Sequence, residues 1–201
     1  VTILQKDFYL NDDVIEVGKL LLGKFLFTKI NEELVTGGMI VETESYKGEE
    51  DKACHAYLGK KTKRNEMMFA QGGVAYIYLC YGMHSLLNVV TNKKDIPHAV
   101  LIRAIEPTHG IDIMLKRRNK KEIQRNLTAG PGSLTEALKI TKILNGVSFD
   151  SKILWIEDKG IKISKKDIIC SKRIGIDYAK EHALFPWRFR IKKSNWTSVA
   201  K

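Results

Sequence analysis

From Val41 to Tyr46 the chain reads Val-Glu-Thr-Glu-Ser-Tyr, and period-two alternation puts Glu42, Glu44 and Tyr46 on one face of a strand. Such a strand constrains whatever folds around it. Two carboxylates this close repel unless arginines or amides hold them, and a cation buried beside them must itself be matched. Arg103, inside the apolar run Ala99–Ile105, is the candidate partner. Two readings stay open. The set is a buried structural ion pair, which the pattern alone favours, or Glu44 is a general base on a water that Arg103 helps to orient.

Other extended segments surround this one. Phe25 to Ile30, Val74 to Cys80 and His98 to Ile105 read as strands, and Gly37-Gly38 reads as a turn before a strand from Met39 to Tyr46. The C-terminal part holds short strands, including Leu184 to Ile191. There Phe185, Trp187, Phe189 and Ile191 alternate with Pro186, Arg188, Arg190 and Lys192, so one face is apolar and the other mostly basic. Helices are fewer. One starts at Asn11-Asp12-Asp13, carries Val14, Val17, Leu20 and Leu21, and stops at Gly23. A second holds Ile111, Met114 and Leu115 and ends in Lys116-Arg117-Arg118. A third follows Gly130-Pro131-Gly132, with Ser133 and Glu136 spaced as a capping box. Residues 47–72 read as a basic loop with one short helix. With no repeat and no β-α-β rhythm, the spacing predicts one α+β domain over residues 1–201, with several helices on a curved, mainly antiparallel sheet.

The 201 residues, 44% hydrophobic and 28% charged, suit a soluble globular protein with a substantial core. No apolar run approaches the roughly 18 residues of a membrane span, no signal peptide opens the chain, and no membrane partner is expected. Cys54, Cys80 and Cys170 are odd in number and lack CxxC spacing, which points to reduced cytosolic thiols and to neither a zinc site nor a disulfide framework. Lys and Arg number 34 against 23 Asp and Glu, a net charge of +11. That excess favours a polyanion partner, although a basic surface also serves solubility.

Tyr76 and Tyr78 share a strand face, and Tyr81 follows at the strand end beside Gly82. Cross-strand packing is their ordinary use. Stacking on a base, at about 1–3 kcal/mol each, would let two such rings offset the few kcal/mol needed to extract a base from duplex. A ring at the tip could fill the gap left behind. Lys60, Lys61, Lys63 and Arg64 form a basic cluster nearby, suited to phosphate contacts or simply solvated. The helix start after Gly130 is a second phosphate candidate, though a plain cap is the better reading. His55 stands near Glu49, Glu50 and Asp51, but without ligand spacing, so no metal site is expected.

In order along the chain come Ile40-Val-Glu-Thr-Glu44-Ser-Tyr46, Glu50-Asp51, Ala53-Cys54-His55, Thr62-Lys-Arg64-Asn65, Met68-Phe69, Tyr76-Ile-Tyr78, Tyr81-Gly82-Met83 and Asn88. Then follow Leu101-Ile-Arg103-Ala-Ile-Glu106-Pro107, Gly130-Pro131 and Arg173-Ile-Gly175. This set resembles the alkyladenine (3-methyladenine) DNA glycosylase family over nearly the whole chain. The resemblance implies a monofunctional hydrolase that flips alkylated or deaminated purines from duplex DNA and leaves an abasic site. The lesions in view are 3-methyladenine, 7-methylguanine, hypoxanthine and ethenoadenine. It makes Glu44 the general base, with Arg103 and the Ile174 carbonyl holding the water. Tyr46, His55 and Tyr78 become the base pocket, and Asn88 the residue that rejects guanine. Tyr81 becomes the wedge, with Met68, Met83, Lys60 and Arg64 toward DNA. His84 departs from the aromatic often found beside the wedge.

The same resemblance implies no cofactor, damaged double-stranded DNA as partner, a monomer, and a cytoplasmic, nucleoid-associated location in a bacterium or a nuclear one in a eukaryote. The rival readings are a metal-dependent nuclease using Glu42, Glu44, Glu49, Glu50 and Asp51, and a non-catalytic binder of damaged DNA.

Overall fold

The structure, a computed structural model, describes residues 2–30 and 34–199. The strands are β1 (Thr2–Ile3), β2 (Phe25–Thr28), β3 (Thr36–Lys47), β4 (Ala75–Cys80), β5 (His84–Thr91), β6 (His98–His109), β7 (Leu154–Asp158), β8 (Ile168–Ser171) and β9 (Arg188–Ile191). The α-helices are α1 (Lys6–Tyr9), α2 (Val14–Leu20), α3 (Ile111–Arg117) and α4 (Pro131–Ala137). All strand pairs are antiparallel, in the order β1-β7-β2-β3-β6-β5-β4, with β9 joining β3 to β8. The sheet is curled, and the α+β class predicted from the spacing is the one found. No helix among the described residues is long and apolar enough to cross a membrane.

The carboxylate strand β3 organises the sheet. Its first half pairs with β2, its second half with β9, and its other edge with β6, with irregularities on either side of Glu42. Bulges of this kind bend a strand and re-aim its side chains. Thr43 and Ser45 face α2, where their hydroxyls donate to the carbonyls of Gly18 (2.7 Å) and Val14 (2.8 Å). A Cβ on Gly18 would run into the Ser45 hydroxyl and the Phe189 ring, so glycine lets the helix lie this close. That packing leaves Glu42, Glu44 and Tyr46 to the opposite face. The helix itself starts as expected, with Asp13 accepting from the N–H groups of Ile15 and Glu16, a cap worth about 1 kcal/mol.

Several local expectations are corrected. Gly37 and Gly38 lie inside β3, not in a turn before it, because a Cβ there would meet the Phe27 ring or the Glu106 carbonyl of the neighbouring strands. There is no capping box at α4. The helix begins at Pro131 after Gly130 without a side-chain cap, and Arg118 takes both Ser133 and Glu136. Residues 47–72 hold three single 3₁₀ turns, Gly48–Glu50, Tyr57–Gly59 and Glu66–Phe69, where one short helix was expected. Strand β5 went unread. Arg188, on the basic face of the last strand, is buried, at 1% exposed.

Most buried apolar residues form one core between the sheet and its helices. A smaller cluster around Met68, Phe69, Tyr76 and Ala99 lies under Tyr46 and Tyr78. It gives the turns of residues 48–69 a floor of their own, and the candidate site is built on it.

Candidate active site

Glu44 is fully buried, and its carboxylate is held from three sides. The Arg103 guanidinium lies 3.3 Å from Oε1. The Ile174 N–H donates to the same oxygen at 2.9 Å, and the Tyr46 hydroxyl donates to Oε2 at 2.9 Å. Tyr46 keeps the proton that it donates, since burial and the adjacent carboxylate push its pKa well up. An ionised carboxylate offers about four acceptor sites. Hydrogen bonds from Ile174 and Tyr46 fill two, and the Arg103 ion pair covers Oε1, which leaves one on Oε2 for a water.

Arg103 reaches this position from β6, next to β3 in the sheet. Burial works against its charge, but Glu44 and Glu42 outweigh that and hold it protonated. Glu42 accepts from Nε of Arg103 at 2.9 Å and Nε of Arg188 at 2.7 Å. Burial alone would raise the Glu42 pKa, but the two arginines and Ser198 together lower it. The pair of glutamates foreseen as mutually repulsive is thus neutralised by two arginines, of which the sequence pattern singled out Arg103 alone.

Tyr46, Arg103 and Ile174 line a cavity of about 480 Å³, together with His55, Tyr78 and Asn88. Its size lies within the range of small-molecule sites. Register places Tyr76 and Tyr78 on one face of β4, their rings 5.6 Å apart. The His55 ring meets Tyr78 edge-on at 4.6 Å, and its Nδ1 lies 2.9 Å from the Tyr76 hydroxyl. Burial, with Arg64 nearby, lowers the His55 pKa, so the imidazole is neutral near pH 7. Asn88 sits on β5 between Tyr76 and Leu101. Its amide nitrogen donates to the carbonyls of Tyr76 and Leu86, leaving the side-chain oxygen for a ligand.

At the rim, β4 and β5 are joined by a tight turn in which the Met83 N–H bonds the Cys80 carbonyl at 3.1 Å. Tyr81 occupies it with a φ of 51° and is 89% exposed. Met83 is exposed beside it. Lys60 and Arg64 are exposed too, and Arg64 leans over the Tyr78 ring at 5.5 Å with a 3.4 Å bond to the Leu79 carbonyl. His84 is exposed at the base of the turn and packs against Gly132 of α4.

One placement differs from expectation. Met68, expected toward DNA, is 2% exposed and lines the cavity, because it belongs to the small core. Ile174, expected to hold the water through its carbonyl, also binds Glu44 through its N–H. The sequence reading also gave no role to Arg173, which pairs with both oxygens of Asp51, nor to Ser198, whose N–H and hydroxyl both donate to Glu42.

The acidic residues offered as nuclease ligands do not assemble. Glu42, Glu44 and Asp51 are committed to arginines, and Glu50 pairs with Lys47. Among the described residues no group of three His, Cys, Asp or Glu could hold a metal ion.

The chain is similar to known proteins over nearly its whole length. A protein of Chlamydia felis named "Putative 3-methyladenine DNA glycosylase" is 52% identical over 194 residues, spanning 95% of this chain and 98% of its own length. One of the same name from Clostridium novyi is 44% identical over 202 residues, spanning 97% and 98%. Residues 7–195 match the profile of the methylpurine-DNA glycosylase (MPG) family. With the match running through every element of the cavity, the chain belongs to the methylpurine-DNA glycosylase family, hydrolases of DNA repair.

Proposed function

We propose that this protein flips damaged purines of the 3-methyladenine, 7-methylguanine, hypoxanthine and ethenoadenine class from duplex DNA and hydrolyses the N-glycosidic bond, leaving an abasic site. The observation that carries this reading is a buried carboxylate with one acceptor site left, set behind the wall of an aromatic cavity whose rim bears an exposed tyrosine. Tyr81 fills the space vacated in the stack while Tyr46, His55 and Tyr78 receive the base. Glu44 takes a proton from the water as its oxygen bonds to the anomeric carbon and the bond to the purine nitrogen breaks. The purine departs with the bonding electron pair.

Magnitudes favour this division of labour. General-base help contributes about 10²–10⁴-fold, so positioning and fixed charge must supply the remainder. Neutral His55 adds no positive charge against a cationic alkylpurine. Arg103 sets a fixed positive charge beside the Glu44 carboxylate.

The test is single-turnover base release from duplexes carrying each lesion, in EDTA, for the parent and Glu44→Gln proteins. Heat- and alkali-labile sites from the parent alone support the reading. A parent protein that binds every lesion and releases none would instead make it a damage-binding module.

A further inference from the structure

The three guanidinium nitrogens of Arg103 each have a different partner. Nε donates to Glu42 Oε1 at 2.9 Å, NH2 points to the Ser198 hydroxyl at 3.5 Å, and NH1 faces Glu44 Oε1 at 3.3 Å. Glu42 is 0% exposed and is itself fixed by Arg188 Nε at 2.7 Å, the Ser198 N–H at 2.5 Å and the Ser198 hydroxyl at 2.7 Å. Ser198 also receives Arg188 NH2, on its carbonyl and its hydroxyl, both at 3.4 Å. Two carboxylates and two guanidiniums thus balance in a closed set, and a segment some ninety residues beyond Arg103 seals it.

We infer that Glu42 and Ser198 are positioning residues for base release, aiming Arg103 so that it offers Glu44 one nitrogen and not two. The inference rests on the glycosylase reading. A guanidinium free to turn prefers the two-pronged contact with a carboxylate, the stronger geometry. That contact would occupy the last acceptor site of Glu44, because Ile174 and Tyr46 already hold two others. The attacking water would lose its place while the base pocket stayed intact. Glu42 accordingly governs the chemical step and leaves lesion binding alone.

The experiment compares single-turnover base release and lesion-duplex affinity in four proteins: the parent, Glu42→Gln combined with Arg188→Gln, Ser198→Ala, and Ser198→Thr. Removing one charge of each sign keeps the buried set neutral, and Ser198→Ala disturbs it least of all. The double variant is expected to release base about 10²-fold more slowly, the scale of a misplacement of about 1 Å, with unchanged lesion affinity. Ser198→Ala should be slowed several-fold, and Ser198→Thr should recover the parent rate. Against an Arg103→Lys background, whose single nitrogen cannot be aimed this way, the Glu42 and Ser198 changes should cost nothing further.

A Ser198→Ala protein as fast as the parent would overturn the inference. So would a full additional loss on the Arg103→Lys background, or affinity falling in step with rate. A parent that releases no base from any lesion overturns the glycosylase reading, and this inference with it.

Discussion

The Arg173 guanidinium stands 4.7 Å from the centre of the Tyr46 ring while its two terminal nitrogens hold both oxygens of Asp51. Trp187 covers it at 5.0 Å, and both ion-pair side chains are fully buried. Arg173 directly precedes Ile174, so one clamp supports the Tyr46 ring and delivers the amide that binds Glu44. Asp51→Asn would leave that guanidinium charged without an anion. A loss of about 3–5 kcal/mol in unfolding free energy follows, measured by denaturant titration. Unchanged stability would mean that the stacked rings and carbonyls suffice to hold Arg173.

Tyr81 pays a conformational cost for its exposure. A non-glycine residue at φ 51° is strained by about 1–3 kcal/mol, and its ring makes up for none of this by burial. Tyr81→Ala keeps the strain and removes the proposed wedge, whereas Tyr81→Gly relieves the strain and removes the same ring. The glycine variant is therefore expected to melt above the alanine variant, with both equally unable to hold a fluorescent lesion out of the stack. If alanine melts at or above glycine, the turn is not strained at this residue. If either variant flips normally, the wedge is elsewhere.

How much of this was legible in the sequence depended on how far away the partner lay. The face shared by Glu42, Glu44 and Tyr46 follows from local alternation, and Arg103 stood out because a charge in an apolar run must be matched. Helix α2 was readable from its cap and spacing. Gly37-Gly38 and Ser133-Glu136 obey local rules for a turn and a cap, yet Phe27, Glu106 and Arg118 overrule them from elsewhere in the chain. Arg188 alternates with apolar residues just as an exposed basic residue would, and only the pairing of β9 with β3 brings it onto Glu42. Nothing around Ser198 marks it as a ligand of a carboxylate 156 residues away. Met68 is misread for a related reason, since its burial depends on a small core that forms only when the turns fold back onto β4 and β6.

His55 carries a pH signature. Its pKa is lowered by burial and by Arg64, so the unfolded chain binds a proton that the folded one refuses. Above the ordinary imidazole value both states are neutral and the residue has no effect. Stability then falls as pH drops from about 6.5 toward the lower folded value. His98, buried and lowered by burial and Lys47, acts with the same sign. His55→Gln should therefore flatten part of the decline in melting temperature between about pH 8 and pH 5, leaving the His98 share. A decline as steep as the parent's would place the sensitivity wholly outside the pocket.

Arg64 and Lys60 should separate charge from stacking. Both are exposed, but only Arg64 reaches the pocket, over Tyr78 and toward the Leu79 carbonyl. If each meets one phosphate, Lys60→Gln and Arg64→Gln should each reduce the slope of log affinity against log salt by about 1. Arg64→Lys keeps the charge and loses the planar contact. It should restore the slope while still weakening preference for a lesion duplex over an undamaged one, by the roughly 0.5–1 kcal/mol of an exposed cation–π contact. Affinities across a salt series on both duplexes decide the matter. Should Arg64→Lys match the parent on both, Arg64 acts as a charge alone and Tyr78 stacks without it.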